Sequence, residues 1–472
     1  MMPSLGGGKL AWACATVNGA AGSRPMQTLI ELAAALDAGR TTSRALVEDC
    51  LARIADPAGE GARTFITVQA EAARSQADAV DSLRRHGRAP GPYAGIPASL
   101  KDLLDVAGEV STAGSVVLAG APPAKAHAPV VARMLGAGFV PMGRTNMTEF
   151  AFSGLGINPH YGTPASPWDR ATRRIPGGSS SGAAVSIADG MAFAALGTDT
   201  GGSCRVPAAL CGVVGYKPTA RRVPITSVIP LSFSLDSVGP LANSVTCCAI
   251  VDAVLAGATP VAPLARSLAG VRLAMPDRIV TDGIDAPTAA AFEHALATLR
   301  TAGATIEMVH FAALDRIGSA TARASIAACE AYAWHRKLLA SGADQYDPRV
   351  RARIEGGAAA SAADYLDSMA ARHSIGIEMA AATAPYDAVI MPTVPTVPAP
   401  IAALEADEAA YLQVNALMLR NTAIGNFLDR CAISLPCQRA GEPPAGLMLM
   451  GQAMGDVALF QLAAGVEAAM AS

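Results

Sequence analysis

In the stretch GTDTGGSCRVP, residues 197–207, one serine, Ser203, follows two consecutive glycines. Glycines at 201 and 202 leave the backbone N–H groups of Thr200, Gly201, Gly202 and Ser203 unobstructed. Amides that converge on one point can stabilise a developing oxyanion, an effect worth about 3–4 kcal/mol per donor. A serine hydroxyl beside such amides is suited to nucleophilic attack on a carbonyl carbon. The plain alternative is a tight glycine turn between buried strands. The spacing is not G-x-S-x-G, which disfavours the nucleophile elbow of α/β-hydrolases. Asp199 and Arg205 flank the turn and can hold it as an ion pair. Cys204, next to Ser203, reads as packing rather than as a reactive thiol.

Two further stretches carry chemistry. PGGSSSGAA holds Ser179, Ser180 and Ser181. Glycines before a helix can cradle an anion, but the Gly-Lys-Ser/Thr ending of a P-loop is missing. A serine N-cap on the following apolar helix also fits, and that helix would hold the serines rigidly at an interior site. SLKDLLD holds Lys101 among apolar neighbours. A desolvated lysine has a lowered pKa and offers a neutral amine as a base; the alternative is a surface lysine on a short helix. The seven histidines have no part in this chemistry.

Positioning these groups requires a large core. The chain has 472 residues, 51% hydrophobic and 16% charged, the balance of an Ala-rich α/β enzyme rather than a disordered chain. With a net charge of −3 and no block of like charge, neither a nucleic-acid partner nor a membrane surface is expected. No stretch is long and apolar enough to span a bilayer. Nine cysteines without a C-x-x-C pair or metal-ligand spacing imply reduced thiols, a cytoplasmic location and no metal.

Residues 1–24 read as a flexible N-terminal arm and 25–472 as one domain. Apolar spacings of three and four predict two helices in QTLIELAAALDAGRTTSRALVEDCLARIADP, the second capped by Thr42 or Ser43, and a third over 67–86. AGIPASLKDLLDVAG and STAGSVVLAG read as a strand–turn pattern. Residues 129–147 read as helix then buried strand, and MAFAALGTDTGGS as a strand running into the glycine turn. Strand, helix and strand follow over 268–310, and helices over 316–383. YDAVIMPTVPTVPAP is a buried strand, AISLPC and AGLMLMG are a late strand pair, and VALFQLAAGVEAAM is a closing helix. The simplest account is one large α/β domain with a helical N-terminal layer.

Together these stretches resemble the amidase signature family. Its nucleophile motif, G-T-D-x-G-G-S-x-R-x-P, is matched without departure by GTDTGGSCRVP. Its serine-rich stretch, G-G-S-S-G-G-S, is matched by GGSSSGA with Ser181 and Ala183 in place of a glycine and a serine. GIPASLKDLLDVAG looks like its lysine segment, and the likeness runs from about residue 27 to the end. The resemblance implies a mixed β-sheet covered by helices on both faces. It implies a Ser–cis-Ser–Lys triad: Ser203 as nucleophile, Ser179 (next to a cis peptide bond) as relay, and Lys101 as base. The amides of Thr200, Gly201, Gly202 and Ser203 would form the oxyanion hole, with Asp199 and Arg205 in support. Ser180 would either bond near Lys101 or cap the helix. The implied activity is hydrolysis of the C–N bond of carboxylic amides, extending to esters, anilides or carbamates, through an acyl-enzyme and without a cofactor. The alternative is the glutamine-hydrolysing amidase subunit of a tRNA-dependent amidotransferase. A homodimer is expected only from general frequency. Loops near 150–165, 222–236 and 316–380 should line the pocket, and their apolar character points to an uncharged, partly hydrophobic small-molecule amide.

Overall fold

Eleven strands form a single mixed sheet in the computed structural model, which describes residues 27–471. In chain order they are β1 (Phe65–Val68), β2 (Pro97–Lys101), β3 (Val140–Thr145), β4 (Ala194–Thr198), β5 (Val214–Lys217), β6 (Val238–Ala242), β7 (Arg272–Pro276), β8 (Thr305–Val309), β9 (Ala388–Pro392), β10 (Ala432–Pro436) and β11 (Gly446–Met450). Across the sheet they run β1-β3-β2-β4-β6-β5-β10-β11-β9-β7-β8. β2 is parallel to both β3 and β4, and β7 to both β8 and β9; the remaining pairs are antiparallel. The expected N-terminal arm lies outside the described residues.

Strand alternation shows that both faces are covered, because successive side chains point to opposite sides of a sheet. On β4, Ala194 and Leu196 enter one apolar cluster, while Ala195 between them enters another with Val185 and Ile187. On β11, Leu447 and Leu449 go one way and Met448 and Met450 the other. The central strands thus read as continuous apolar runs rather than as alternating ones.

The first two helices form where expected, over Leu29–Asp37 and Ser43–Ala55, and Thr42 caps the second by accepting from the Ala45 N–H at 3.1 Å. Two expectations need correction. The helix read over 67–86 is Ala70–Arg85, because residues before it form β1, a four-residue edge strand paired with β3. STAGSVVLAG contains no strand: it is a run of turns folded against Asp102, whose carboxylate accepts from the Thr112 hydroxyl and the Gly114 N–H. No helix among the described residues is long and apolar enough to cross a membrane. The eight described cysteines are all free, seven of them buried.

Candidate active site

β2 and β4 are parallel neighbours and end side by side, β2 on Lys101 and β4 on Thr198. The carboxyl ends of parallel strands are where open α/β sheets place their ligands. Ser99 and Lys101 leave β2 on the same face, and Ser99 Oγ lies 2.9 Å from Ser186 Oγ of the helix Ser181–Ala188. Lys101 therefore points beneath the start of that helix, toward the serine-rich loop. Gly182 lets the helix pack against the backbone just before β1 and just after β3: a Cβ there would sit 2.3 Å from the Thr64 carbonyl oxygen and 2.7 Å from the Asn146 nitrogen.

Lys101 is fully buried, and its Nζ lies 2.8 Å from both Ser179 Oγ and Thr198 Oγ1. Burial lowers its pKa to about 7, against the weaker opposing pull of Cys204, Asp236 and Asp199. A second fully buried lysine, Lys217 at the end of β5, makes an instructive contrast. Its ammonium donates to the carbonyls of Pro218 and Arg430 at 2.8 and 2.9 Å. Carbonyls only accept, so Lys217 has no partner from which to take a proton; hydroxyls both donate and accept, so Lys101 has two.

Ser179 follows a cis peptide bond from Gly178, the preceding of the two bonds the resemblance allowed. Backbone bonds pin it on both sides: Gly178 N–H to the Gly154 carbonyl at 2.8 Å, and Thr148 N–H to the Ser179 carbonyl at 3.1 Å. The Ser180 N–H donates to the Ser203 carbonyl at 3.2 Å, which ties the serine-rich loop to the glycine turn. Lys101 and Ser179 thus meet directly, and Ser203 is joined to their loop through the backbone of Ser180.

Of the two roles expected of it, Ser180 takes the one near Lys101. Its hydroxyl donates to the Thr198 carbonyl at 3.2 Å and accepts from the Thr198 N–H at 3.4 Å, and it makes no cap bond. It acts on Lys101 only through Thr198, a partner that sequence reading missed. Ser181 Oγ reaches the Asn146 carbonyl at 3.3 Å, and Ala183 is buried. Both departures from the motif are therefore absorbed by packing.

The N–H groups of Thr200, Gly201, Gly202 and Ser203 donate to no acceptor among the described residues, and neither does the Ser203 hydroxyl. Four adjacent donors without an acceptor beside one free hydroxyl are available to an anion. Gly202 is required for shape: φ is +139°, and a Cβ would lie 2.1 Å from Thr422 Oγ1. Gly201 meets nothing nearer than 3.8 Å, so its missing side chain keeps the space over the amides open.

The turn is braced from behind. Arg205 and Asp199 are fully buried and paired in two places, Nε to Oδ2 at 3.0 Å and Nη2 to Oδ1 at 2.8 Å. Asn426 joins both, accepting from Arg205 at 2.7 Å and donating to Asp199 at 2.9 Å. Burial alone would raise the Asp199 pKa, but the Arg205 charge overrides it and holds the carboxyl down to about 2. Arg205→Met leaves that carboxylate buried without its countercharge. The expected cost is about 3–5 kcal/mol, read as a lower denaturant midpoint; an unchanged midpoint would contradict the brace. Asp236, also missed in the sequence, takes the Thr200 hydroxyl and the N–H groups of Leu231 and Ser232. Burial raises its pKa to about 6. Cys204 is fully buried, with Sγ 3.6 Å from the Gly239 carbonyl, and burial drives its thiol pKa well up, so it stays protonated.

A cavity of about 520 Å³ opens over Ser203, Thr200 and Gly201. Phe152, Leu231, Leu235 and Ile326 come from the three segments expected to line it, Ile326 from the stretch read as helical over 316–383; the helix Glu408–Phe427 adds Leu419 and Ile424. Residues 150 and 151 turn into this wall with positive φ, 48° and 61°. Fully buried Glu149 anchors the turn, accepting from the Ser115 hydroxyl at 2.6 Å and the Asp347 N–H at 2.7 Å. No cluster of His, Cys, Asp or Glu among the described residues is placed to hold a metal.

Comparison with known proteins places this architecture. The model of the family described as Amidase matches residues 45–460. A 2-amino-5-chloromuconic acid deaminase from Comamonas testosteroni is 37% identical over 448 residues, covering 93% of this chain and 96% of that one. One of the glutamyl-tRNA(Gln) amidotransferase subunits of Chloroflexus aggregans is 34% identical over 462 residues, covering 91% and 93%. Among solved structures, one described as an amidase superposes with a TM-score of 0.84 at 30% identity, covering 94% and 99%. A peptide amidase bound to the inhibitor chymostatin gives 0.76 at 27%, covering 94% and 97%. The chain belongs to the amidase signature family of hydrolases.

Proposed function

We propose that this chain hydrolyses carboxylic amides of small molecules, with Ser203 as nucleophile, Ser179 as proton relay and Lys101 as base. The observation that carries this reading is the buried lysine amine 2.8 Å from the Ser179 hydroxyl, beside a turn of unpaired amides. A neutral Lys101 gives one N–H to Thr198 and keeps its lone pair for the Ser179 proton. Ser179 in turn accepts the proton of Ser203 as Ser203 Oγ attacks the carbonyl carbon. The carbonyl oxygen, now negative, takes the N–H groups of the 200–203 turn. Collapse expels the amine, which receives the proton back through Ser179, and water then releases the acid by the same route. Asp199 and Arg205 hold the turn, and Ser180 steadies Thr198.

Activity should follow the neutral form of Lys101. Its pKa is lowered to about 7, so kcat/KM for a neutral amide is expected to rise through pH 7 and level off above it. Below that midpoint it should fall roughly tenfold per pH unit. Asp236, raised to about 6, becomes neutral lower still; its charge holds the Lys101 pKa up, so losing it favours the neutral amine and softens the acid limb below pH 6. A rate flat from pH 5 to 9 would count against a lysine base.

The amidotransferase reading is supported by relatives of that name at 34% identity. The two readings separate on the purified chain alone, sized by chromatography and tested on aliphatic amides, anilides, carbamates and glutamine. The name of the Comamonas relative adds amino-substituted carboxylic acids to that panel. Turnover of simple amides without a partner supports the stand-alone hydrolase. Hydrolysis of glutamine alone, and only with partner proteins added, supports the amidotransferase reading. The same chromatography tests the proposed homodimer.

A further inference from the structure

Three arginines on the helix Pro348–Glu355 have different surroundings. Arg349 meets Glu408 at 2.6 Å, and Arg351 lies 3.6 Å from Asp344 and 3.7 Å from Glu355. Arg353 has no carboxylate and no hydrogen-bond acceptor among the described residues, and its Nε is buried without a partner. It lines the cavity that opens on Ser203, with its guanidinium carbon 4.7 Å from the centre of the Phe152 ring. Arg420, the other arginine of the cavity wall, is occupied: it donates to the carbonyls of Asp282 and Val280 and to Asn421. Asp315, the acid of the wall, lies 3.8 Å from Arg278 and 3.6 Å from His310.

A half-buried guanidinium with an orphaned donor is costly unless something accepts from it. The Phe152 face offers it attraction but no acceptor. A planar fork of N–H donors fits a carboxylate in two places at once, and the surrounding apolar wall strengthens that pairing by excluding water.

We infer that Arg353 is the countercharge for a carboxylate on the substrate, so that the amide cleaved at Ser203 belongs to an acidic molecule. This rests on the reading of Ser203 as nucleophile and replaces the uncharged substrate expected from the apolar loops. Arg353 determines specificity; it takes no part in bond breaking. The carboxylate belongs either to the acyl part, as in a dicarboxylic half-amide, or to the amine released, as in an N-acyl amino acid. The shared chemistry is the anion.

The test pairs isosteres. Succinamate and glutaramate carry the anion on the acyl part, N-butanoylglycine carries it on the amine, and butanamide and pentanamide carry none. The intact chain should turn over at least one anionic amide with a kcat/KM about 10- to 100-fold above its neutral counterpart. Arg353→Gln should remove that preference while changing the neutral amides less than about threefold, and Arg353→Lys should restore part of it. Binding is read separately by calorimetry on the Ser203→Ala chain with glutarate, succinamate and N-butanoylglycine, before and after Arg353→Gln. Anion binding that disappears with Arg353 supports the inference even if nothing is turned over, an outcome that would count only against Ser203. Preference for the neutral amides, or anion binding that survives Arg353→Gln in a variant of unchanged melting temperature, would overturn it. So would failure of all three anions to bind.

Discussion

Ser203→Ala is expected to reduce hydrolysis of an anilide or amide reporter by at least about 10⁴-fold, about 5.5 kcal/mol of transition-state stabilisation. The size follows from the geometry. Ser203 carries the free hydroxyl of the turn of unpaired amides from Thr200 to Ser203, since the Thr200 hydroxyl is held by Asp236, and Cys204 beside it cannot stand in. That thiol is buried, protonated and turned toward the Gly239 carbonyl. What survives the substitution is the amide turn itself, so the residual rate measures polarisation without a nucleophile. The fold should be unaffected, because Ser203 Oγ makes no hydrogen bond among the described residues. Release of aniline from a chromogenic anilide, with the melting temperature as control, decides it. Undiminished turnover would remove the proposed nucleophile.

Lys101→Met is expected to cost about 10³- to 10⁴-fold in kcat. Methionine has comparable length and volume and fills the buried slot, whereas alanine would open a cavity and mix unfolding into the result. Ser179 and Thr198 each lose a partner, at about 1 kcal/mol apiece, but no buried charge is stranded, because the amine is largely neutral above pH 7. The diagnostic is the pH profile: the acid limb near pH 7 should vanish from whatever rate remains. A merely structural lysine would lower the melting temperature and leave that limb in place. An active Lys101→Met enzyme with an unchanged profile would end the proposal that this amine is the base.

Part of the site was legible from local chemistry. A serine behind two glycines announces an open turn because φ at Gly202 and the contact with Thr422 exclude any side chain. Lys101 was legible as a desolvated base only in outline: its burial depends on β2 lying between β3 and β4 and beneath the helix Ser181–Ala188. Thr198 and Asp236 carried no signal. Thr198 matters because β4 ends level with β2, and Asp236 because its segment folds back onto Thr200. The strand β1 was read as the start of a helix because four residues show too little periodicity to reveal an edge, and pairing with β3 decides it. STAGSVVLAG failed the other way, since apolar residues beside glycines look extended until Asp102 gathers the turns around its carboxylate.

Sequence alone determined the membership of the family, the order of most strands and helices and the three residues at the centre of the proposal, because each rests on residue type or short-range spacing. Tertiary structure alone decided that Thr198 joins Ser179 on the lysine, that Ser180 reaches Thr198, and that Arg353 stands without a counterion among the described residues. The physical reason is that burial and partnership are properties of a neighbourhood. An arginine in RVRARIE reads like its neighbours Arg349 and Arg351 until the fold supplies acids to those two and an apolar cavity to the third.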